Sequence, residues 1–283
     1  MTMQDLAQFQ QFTINVPIEG YWRITFNNPP INLMNAETAR ELQLLIKAIE
    51  DSPELRVVVF ESANPDFFIA RYDFASSELP SAPGPTGLPP FLDLTVRLSQ
   101  AQAVSISAIR GRTRGGGNEF ALACDMRFAS TEKALFCQPE IGASLIPGGG
   151  GIERLSALVG RARALEIVLS GDDFDARTAE LYGWINRALP DDRLDQYVDA
   201  LARRIATFSD VARAAAKRMI NRHTLPDPEN LVESQTAALA LTQDPQFRGR
   251  FRRLSEIARA AGGDFDLRMG HYMGLAGMSS PVE

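Results

Sequence analysis

Strand patterns alternate with helix patterns through about residue 190, and this alternation limits the fold more than any other feature. Residues 21–27 alternate apolar and polar side chains as a strand does, and residues 56–61 form the apolar run of a buried strand. Between them, residues 36–51 carry an apolar stripe at helical spacing, with Asn35 as the expected N-cap. A strand–helix–strand unit favours parallel pairing, so this order predicts an α/β core.

Helix patterns dominate the rest of the chain. After one short strand expected at residues 184–188, they cover residues 192–207, 210–222, 229–242 and 246–261. These patterns predict an α/β core over residues 1–205 and a helical C-terminal region over residues 206–283. We also expect the C-terminal region to be used in oligomerisation.

Three further segments carry expectations of their own. Residues 75–90 contain five prolines and two glycines, which indicates either a surface loop or a lid that forms part of a pocket. A helix that opens after a glycine run at residues 148–151 is expected to turn Leu155 and Leu158 inward. Residues 262–283, rich in Gly and Met, are expected to form a tail or an arm that docks on a partner.

Composition and charge exclude several classes of protein. The formal net charge of −6 argues against a dedicated nucleic-acid binder. Two cysteines, Cys124 and Cys137, lie in apolar surroundings and are expected to be buried thiols, and the two histidines form no zinc motif. Neither a signal peptide nor an apolar run long enough to span a membrane is evident, so we expect a cytoplasmic protein with no membrane insertion.

Two glycine runs, at residues 115–117 and 148–151, suggest a site for an anionic group. Neither is followed by the Lys-Ser/Thr of a phosphate-binding loop, and neither completes the dinucleotide pattern G-x-G-x-x-G. The first turn of a helix has backbone N–H groups without internal partners, and glycine lets a ligand approach them closely. The run at 115–117 therefore indicates either an oxyanion site or a tight helix start that binds nothing.

Residues 106–130, ISAIRGRTRGGGNEFALACDMRFAS, together with Gln138-Pro139-Glu140 and the segment IPGGGG at 146–151, resemble the crotonase (enoyl-CoA hydratase/isomerase) superfamily. The segment PDFFIARYDF at 65–74 is similar to the first oxyanion loop of that family. The resemblance covers about residues 20–220 and implies a crotonase-like spiral of ββα units with a helical C-terminal region. It also implies a homotrimer or a dimer of trimers, an acyl-CoA substrate, and no cofactor or metal beyond that coenzyme A thioester.

The resemblance carries residue roles over to this sequence. Backbone N–H groups of Tyr72 and Gly116 match the two donors that hold the thioester oxygen, and Glu119 and Glu140 match the two catalytic glutamates of hydratases. Gly148 matches a glycine beside the water site. The remaining residues expected to contact substrate around the first oxyanion loop are Ala70, Asp73, Phe74 and Ala75.

The sequence departs from the family at two places. Arg71 and Tyr72 replace small residues in the first oxyanion loop, and Arg71 is either a contact for an anionic part of coenzyme A or an exposed salt-bridging residue. The family's C-terminal motif is absent, and residues 247–253, FRGRFRR, stand there instead. This basic cluster either meets the phosphates of coenzyme A or forms a solvated helix face.

Because both glutamates are retained, the resemblance favours hydration of a 2-enoyl-CoA. Two alternatives remain open at the level of sequence. One is another crotonase reaction on an acyl-CoA, such as isomerisation, C–C cleavage or thioester hydrolysis. The other is a family member that has kept the fold without turnover.

Overall fold

The computed structural model describes residues 9–73 and 82–277. The strands are β1 (Phe12–Ile18), β2 (Tyr21–Phe26), β3 (Val57–Ser62), β4 (Phe67–Ile69), β5 (Val104–Ile109), β6 (Arg112–Arg114), β7 (Met126–Ser130), β8 (Leu135–Cys137), β9 (Phe174–Asp175) and β10 (Arg187–Leu189). The helices are α1 (Ala36–Glu50), α2 (Pro90–Gln100), α3 (Gly116–Ala123), α4 (Gly151–Val159), α5 (Arg161–Ser170), α6 (Ala176–Tyr182), α7 (Asp191–Ala206), α8 (Asp210–Thr224), α9 (Pro228–Leu241), α10 (Pro245–Ala261), α11 (Gly263–Leu267) and α12 (Met269–Leu275). A 3₁₀ turn spans Glu140–Ala143.

The strands form two sheets. The larger has the order β1-β2-β3-β5-β7-β10, in which β1 alone runs antiparallel to its neighbour. The smaller has the order β4-β6-β8-β9, with β4, β6 and β8 parallel. The unit β2-α1-β3 pairs in parallel as predicted, and Asn35 caps α1 by accepting a hydrogen bond from the Thr38 N–H.

Both faces of the larger sheet are buried. Consecutive strand residues point to opposite sides, so neighbouring residues of one strand pack into two different cores. On one face Ile24, Val58 and Phe60 join the main core with α1 and α3. On the other face Val57 and Val59 pack against α7. The apolar run of β3 reflects this double burial.

The structure differs from the sequence expectations at several elements. Strand β1 is not among the expected elements, and the strand expected at 184–188 lies at Arg187–Leu189. Leu158 was expected to face inward but is 41% exposed, because the buried stripe of α4 is narrow and runs through Arg154, Leu155 and Val159.

The C-terminal segment, defined here as residues 263–275, forms α11 and α12 and packs on the chain itself. This arrangement replaces the expected tail or docking arm over the part of residues 262–283 that the structure describes. Of the irregular segment at 75–90, residues 82–89 form a loop, and the Thr86 N–H donates to the buried Asp93 carboxylate (2.9 Å). Both cysteines are buried free thiols, as predicted.

The smaller sheet determines where the residues of the candidate site lie. Parallel neighbours β4, β6 and β8 have their carboxyl ends at the same edge, where loops and helix starts follow. Tyr72 comes shortly after β4, Gly116 shortly after β6, and Glu140 shortly after β8. Residues far apart in sequence are thereby brought to one place.

Candidate active site

The backbones of Tyr72 and Gly116 lie side by side. A Cβ placed on Gly116 would be 2.9 Å from the Tyr72 Cβ and 3.4 Å from the Tyr72 backbone nitrogen, so only glycine allows this approach. Gly116 is the first residue of α3, and Gly115 precedes it at φ 49°. An N–H in the first turn of a helix has no intrahelical acceptor, so this position suits an oxyanion.

Backbone hydrogen bonds hold the first oxyanion loop in place. The Asp73 N–H donates to the Met34 carbonyl (2.9 Å), and the Ala70 N–H donates to the Asn32 carbonyl (3.2 Å). These bonds fix the loop on both sides of Tyr72. Phe74 and Ala75, also expected to contact substrate, lie outside the described residues.

Glu119 points from α3 to the amino-terminal end of α4. Its Oε1 accepts hydrogen bonds from the Gly149 N–H (2.7 Å) and the Gly151 N–H (3.1 Å). Burial raises the pKa of Glu119 to about 7, and these two hydrogen bonds and the charge of Arg154 lower it in the opposite direction. The carboxyl is therefore balanced between its two protonation states near neutral pH.

Gly148, the residue matched to the water site, lies against another element. A Cβ on Gly148 would be 2.9 Å from the Ala238 Cβ of α9. The glycines that bind the Glu119 carboxylate are its neighbours Gly149 and Gly151. The role of Gly148 beside a water molecule stays a prediction.

Glu140 begins the 3₁₀ turn after β8 and is 7% exposed. Its Oε2 is buried and finds no hydrogen-bond partner among residues 9–73 and 82–277. Burial, and after it the negative charge of Glu119, raise the pKa of Glu140 well above its usual range. The two carboxyl groups therefore share one buried site, and the environment of Glu140 favours its neutral form.

Four residues that contribute to the site were assigned no role in the sequence analysis. The Phe91 ring contacts the Tyr72 ring edge-on (5.3 Å between centroids), and a Cβ on Gly149 would be 2.4 Å from it. The Trp184 Nε1 donates to Asn118 Oδ1 (3.1 Å), and the Asn118 side-chain amide meets that of Gln138 at 2.9 Å. Asn118 and Gln138 belong to the segments quoted for the resemblance, without a role assigned to them; Phe91 and Trp184 carried no signal beyond an ordinary apolar position.

Behind the loop that holds Glu119 lies the fifth such residue, Arg154. It is 5% exposed, and burial lowers the pKa of its guanidinium to about 10. Its Nη1 lies 3.3 Å from the Gly149 carbonyl. A buried cation thus supports the carbonyl side of a loop whose N–H groups bind a carboxylate.

Arg71 pairs with the Asp266 carboxylate (3.5 Å), in agreement with the salt-bridging alternative for this residue. In the basic cluster at 247–253, Arg248, Arg252 and Arg253 are exposed on α10, whereas Arg250 is half-buried.

Within the described ranges, no group of His, Cys, Asp and Glu side chains is arranged to hold a metal ion. The helices that the structure describes include none long and apolar enough to cross a membrane.

Comparisons with known proteins agree with the resemblance. The family model described as enoyl-CoA hydratase/isomerase matches residues 19–249. A Rhizobium meliloti protein assigned by name to the enoyl-CoA hydratases is 36% identical over 200 residues, which is 70% of this chain and 77% of the relative. The short-chain-enoyl-CoA hydratase of Clostridium acetobutylicum is 31% identical over 201 residues, with coverage of 70% and 77%.

A crystal structure from Streptomyces avermitilis, assigned by name to the enoyl-CoA hydratases, superposes with a TM-score of 0.89 at 38% identity. It covers 96% of this chain and 98% of that one, so the shared architecture includes the helical C-terminal region. The predicted fold is confirmed.

Proposed function

The chain belongs to the enoyl-CoA hydratase/isomerase family of enzymes, and from that premise we propose that it adds water to the double bond of a 2-enoyl-CoA thioester. One observation supports this reaction above the others. Two buried carboxyl groups, Glu119 and Glu140, lie near enough that the charge of Glu119 raises the pKa of Glu140, and their hydrogen-bond surroundings differ. Hydration needs one group that takes a proton and one that gives a proton, which is what such a difference supplies.

The surroundings suggest the division of labour. Glu119 accepts two backbone hydrogen bonds at the amino-terminal end of α4, an arrangement that favours a carboxylate. Among the described residues, no such donor reaches the buried Oε2 of Glu140, and burial favours the neutral form of this carboxyl. Glu119 is therefore the proposed base toward water, and Glu140 the proposed acid toward the α-carbon.

Water oxygen bonds to the β-carbon while one of its protons passes to the Glu119 carboxylate, and the electron pair of the double bond moves toward the thioester oxygen. The resulting enolate takes a proton from the Glu140 carboxyl at its α-carbon. The product is a 3-hydroxyacyl-CoA, and one proton moved from Glu119 to Glu140 restores both groups.

Backbone N–H groups of Tyr72 and Gly116 are the proposed donors to the enolate oxygen. Their backbones are adjacent, and Gly116 opens α3, whose dipole favours negative charge. Loss of one donor of this kind typically raises a reaction barrier by about 2.7–4 kcal/mol. Ala70, Asp73, Phe74 and Ala75 are the proposed contacts of the acyl group and pantetheine along the same loop.

The proposal also covers the cofactor requirement, the assembly and the location of the enzyme. The coenzyme A thioester is the only group needed, so no separate cofactor takes part. A homotrimer or dimer of trimers in the cytoplasm is the proposed assembly and location, with the helical C-terminal region used in oligomerisation. The basic cluster at 247–253 is free in this scheme to meet the phosphates of a substrate.

The test is loss of the conjugated-enoyl absorbance when purified protein meets 2-enoyl-CoA substrates of increasing chain length. Mass spectrometry should find a product heavier by one water with its thioester intact. Glu119→Gln and Glu140→Gln should each abolish the reaction while leaving the folded protein intact by circular dichroism. A shifted double bond, free coenzyme A or a shortened chain would instead indicate another crotonase reaction, and no turnover of any acyl-CoA would indicate a non-catalytic member.

A further inference from the structure

Two arginines lie one and two residues before the proposed oxyanion donors, and both contact the same short helix. Arg71 is followed by Tyr72, and Arg114 is followed by the glycine run that contains Gly116. The side chains of both arginines contact Asp266 of α11. The C-terminal segment therefore touches the two halves of the proposed oxyanion site through one residue.

Arg114 makes the firmer of the two contacts. Its side chain is fully buried, and its Nε and Nη2 each donate to the Asp173 carboxylate at 2.7 Å. Its Nη1 donates to the Asp266 carbonyl, and its Nη2 donates to the Leu267 carbonyl (3.2 Å). Since the last carbonyls of a helix lack intrahelical partners, this guanidinium fixes the end of α11 onto β6.

The Asp266 side chain turns toward the other loop. Its Oδ1 lies 3.5 Å from the Arg71 Nε. This oxygen is buried and accepts no hydrogen bond in the part of the chain that the structure describes, so the Arg71 cation is its source of compensation there. Asp266 thus accepts a hydrogen bond through its carbonyl from Arg114, at the end of β6 just before the glycine run. Through its carboxylate it pairs with Arg71 in the first oxyanion loop.

The same segment also reaches the turn that carries Glu140. A Cβ on Gly142 would be 2.6 Å from the Met273 Cβ, so α12 lies directly on the 3₁₀ turn. The C-terminal segment accordingly covers three loops that follow β4, β6 and β8. None of these contacts involves a group that the proposed reaction uses directly.

We propose that Asp266 is a positioning residue that joins the two oxyanion loops and keeps the N–H groups of Tyr72 and Gly116 at a fixed separation. This inference rests on the proposed function. It assigns Arg71 to the protein rather than to the phosphates of coenzyme A. Asp266 acts through the loops, so its loss weakens binding of the transition state and leaves binding of the substrate as it is.

The test compares Asp266→Asn, Arg71→Met and the double variant with the wild type on two substrates. One is a 2-enoyl-CoA, and the other is the same acyl thioester of pantetheine, which lacks the nucleotide phosphates. Each single variant should lower kcat about two- to five-fold on both substrates with KM unchanged, the range expected for a half-exposed ion pair. The double variant should be no slower than the slower single variant, because both remove one interaction.

Asp264→Asn is the matched control, since Asp264 lies on the same helix and pairs with Arg268 at the surface. It should leave kcat unchanged. If Arg71→Met raises KM on the coenzyme A substrate alone and Asp266→Asn is silent, Arg71 binds phosphate and the proposal is overturned. Additive losses in the double variant would overturn it as well.

A second measurement does not depend on turnover. Amide hydrogen exchange in the peptides around residues 69–73 and 112–118 should be faster in Asp266→Asn than in Asp264→Asn. Equal exchange in the two variants would contradict the positioning role even if the enzyme hydrates its substrate. A wild type that turns over no enoyl-CoA, in a protein whose Asp266→Asn variant shows the faster exchange, would instead retain the positioning role and reject the proposed reaction.

Discussion

The Nη1 of Arg154 lies 3.3 Å from the carbonyl oxygen of Gly149, and the N–H of that same glycine donates to the Glu119 carboxylate at 2.7 Å. The backbone of Gly149 therefore links a buried cation to a buried carboxyl group. Because Arg154 is almost fully buried, its charge acts on Glu119 with little screening by solvent.

This relationship predicts an effect of Arg154→Met on the pH profile. The charged groups that act on Glu119 are Arg154, Glu153 and Glu140, and only the first favours the carboxylate. Its loss should raise the pKa of Glu119 and move the acidic limb of kcat/KM upward by about one pH unit. Arg154→Lys keeps the charge and should keep the limb near its wild-type position. If the acidic limb of kcat/KM stays at its wild-type pH in a folded Arg154→Met variant, the electrostatic role of Arg154 is contradicted.

The raised pKa of Glu119 also predicts a cost in stability. In the folded state the pKa of this carboxyl is about 7, above the ordinary value of 4.5, so the folded protein holds this proton more tightly than the unfolded chain. Stability should therefore fall as pH rises from about 4.5 to 7, by about 3 kcal/mol if Glu119 acted alone.

Glu119→Gln removes this titration, so the variant should unfold at a higher temperature than the wild type at pH 8 and show little gain at pH 5. Thermal unfolding at both pH values measures the difference. Glu180→Gln, at an exposed position on α6, serves as the control. A Glu119→Gln variant that is less stable than the wild type at pH 8 would show that the two backbone hydrogen bonds outweigh burial.

The close contact at Gly149 predicts a site that tolerates no side chain. A Cβ there would be 2.4 Å from both Glu119 Oε2 and the Phe91 ring. Gly149→Ala should displace the carboxyl group, lower kcat by about 100-fold or more, and destabilise the fold by about 1–3 kcal/mol. Gly249→Ala on α10, where a Cβ meets none of the described residues within 4 Å, should leave kcat unchanged and stabilise the protein slightly. Enzyme assays and urea denaturation of both variants provide the comparison.

Burial of both cysteines predicts slow chemistry at sulfur. Burial raises the pKa of Cys124 to about 12 and that of Cys137 well above its usual value, so neither is a thiolate at pH 8. Ellman's reagent should detect neither thiol in the native protein and both after unfolding in guanidinium chloride. Rapid reaction of one thiol under native conditions would indicate local opening around β8 or the end of α3.

Two local features of the candidate site and the fold could be predicted from sequence. The spacing of Gly116 and Glu119 places both on one helical turn, and that turn needs no tertiary information. The capped helix α1 was equally local, because Asn35 and the apolar stripe that follows it determine its start and its buried face. The elements that depend on a neighbour were harder to predict.

Leu158 shows why. It has the spacing of an inward residue, yet the buried position on α4 belongs to Arg154, whose burial depends on the carbonyls of the preceding glycine loop. Asp266 is a similar case, because its two contacts connect it to residues more than 150 positions away. No periodicity in a single sequence carries such pairings.

Gly116 and Glu119 move as one body, because both belong to the first turn of α3, whereas Glu140 is carried by a separate strand and turn. The proposed oxyanion donor and the proposed base therefore keep their mutual distance through any shift of that helix. The proposed acid lies on a different element, so a substitution there leaves the geometry of the other two groups unchanged.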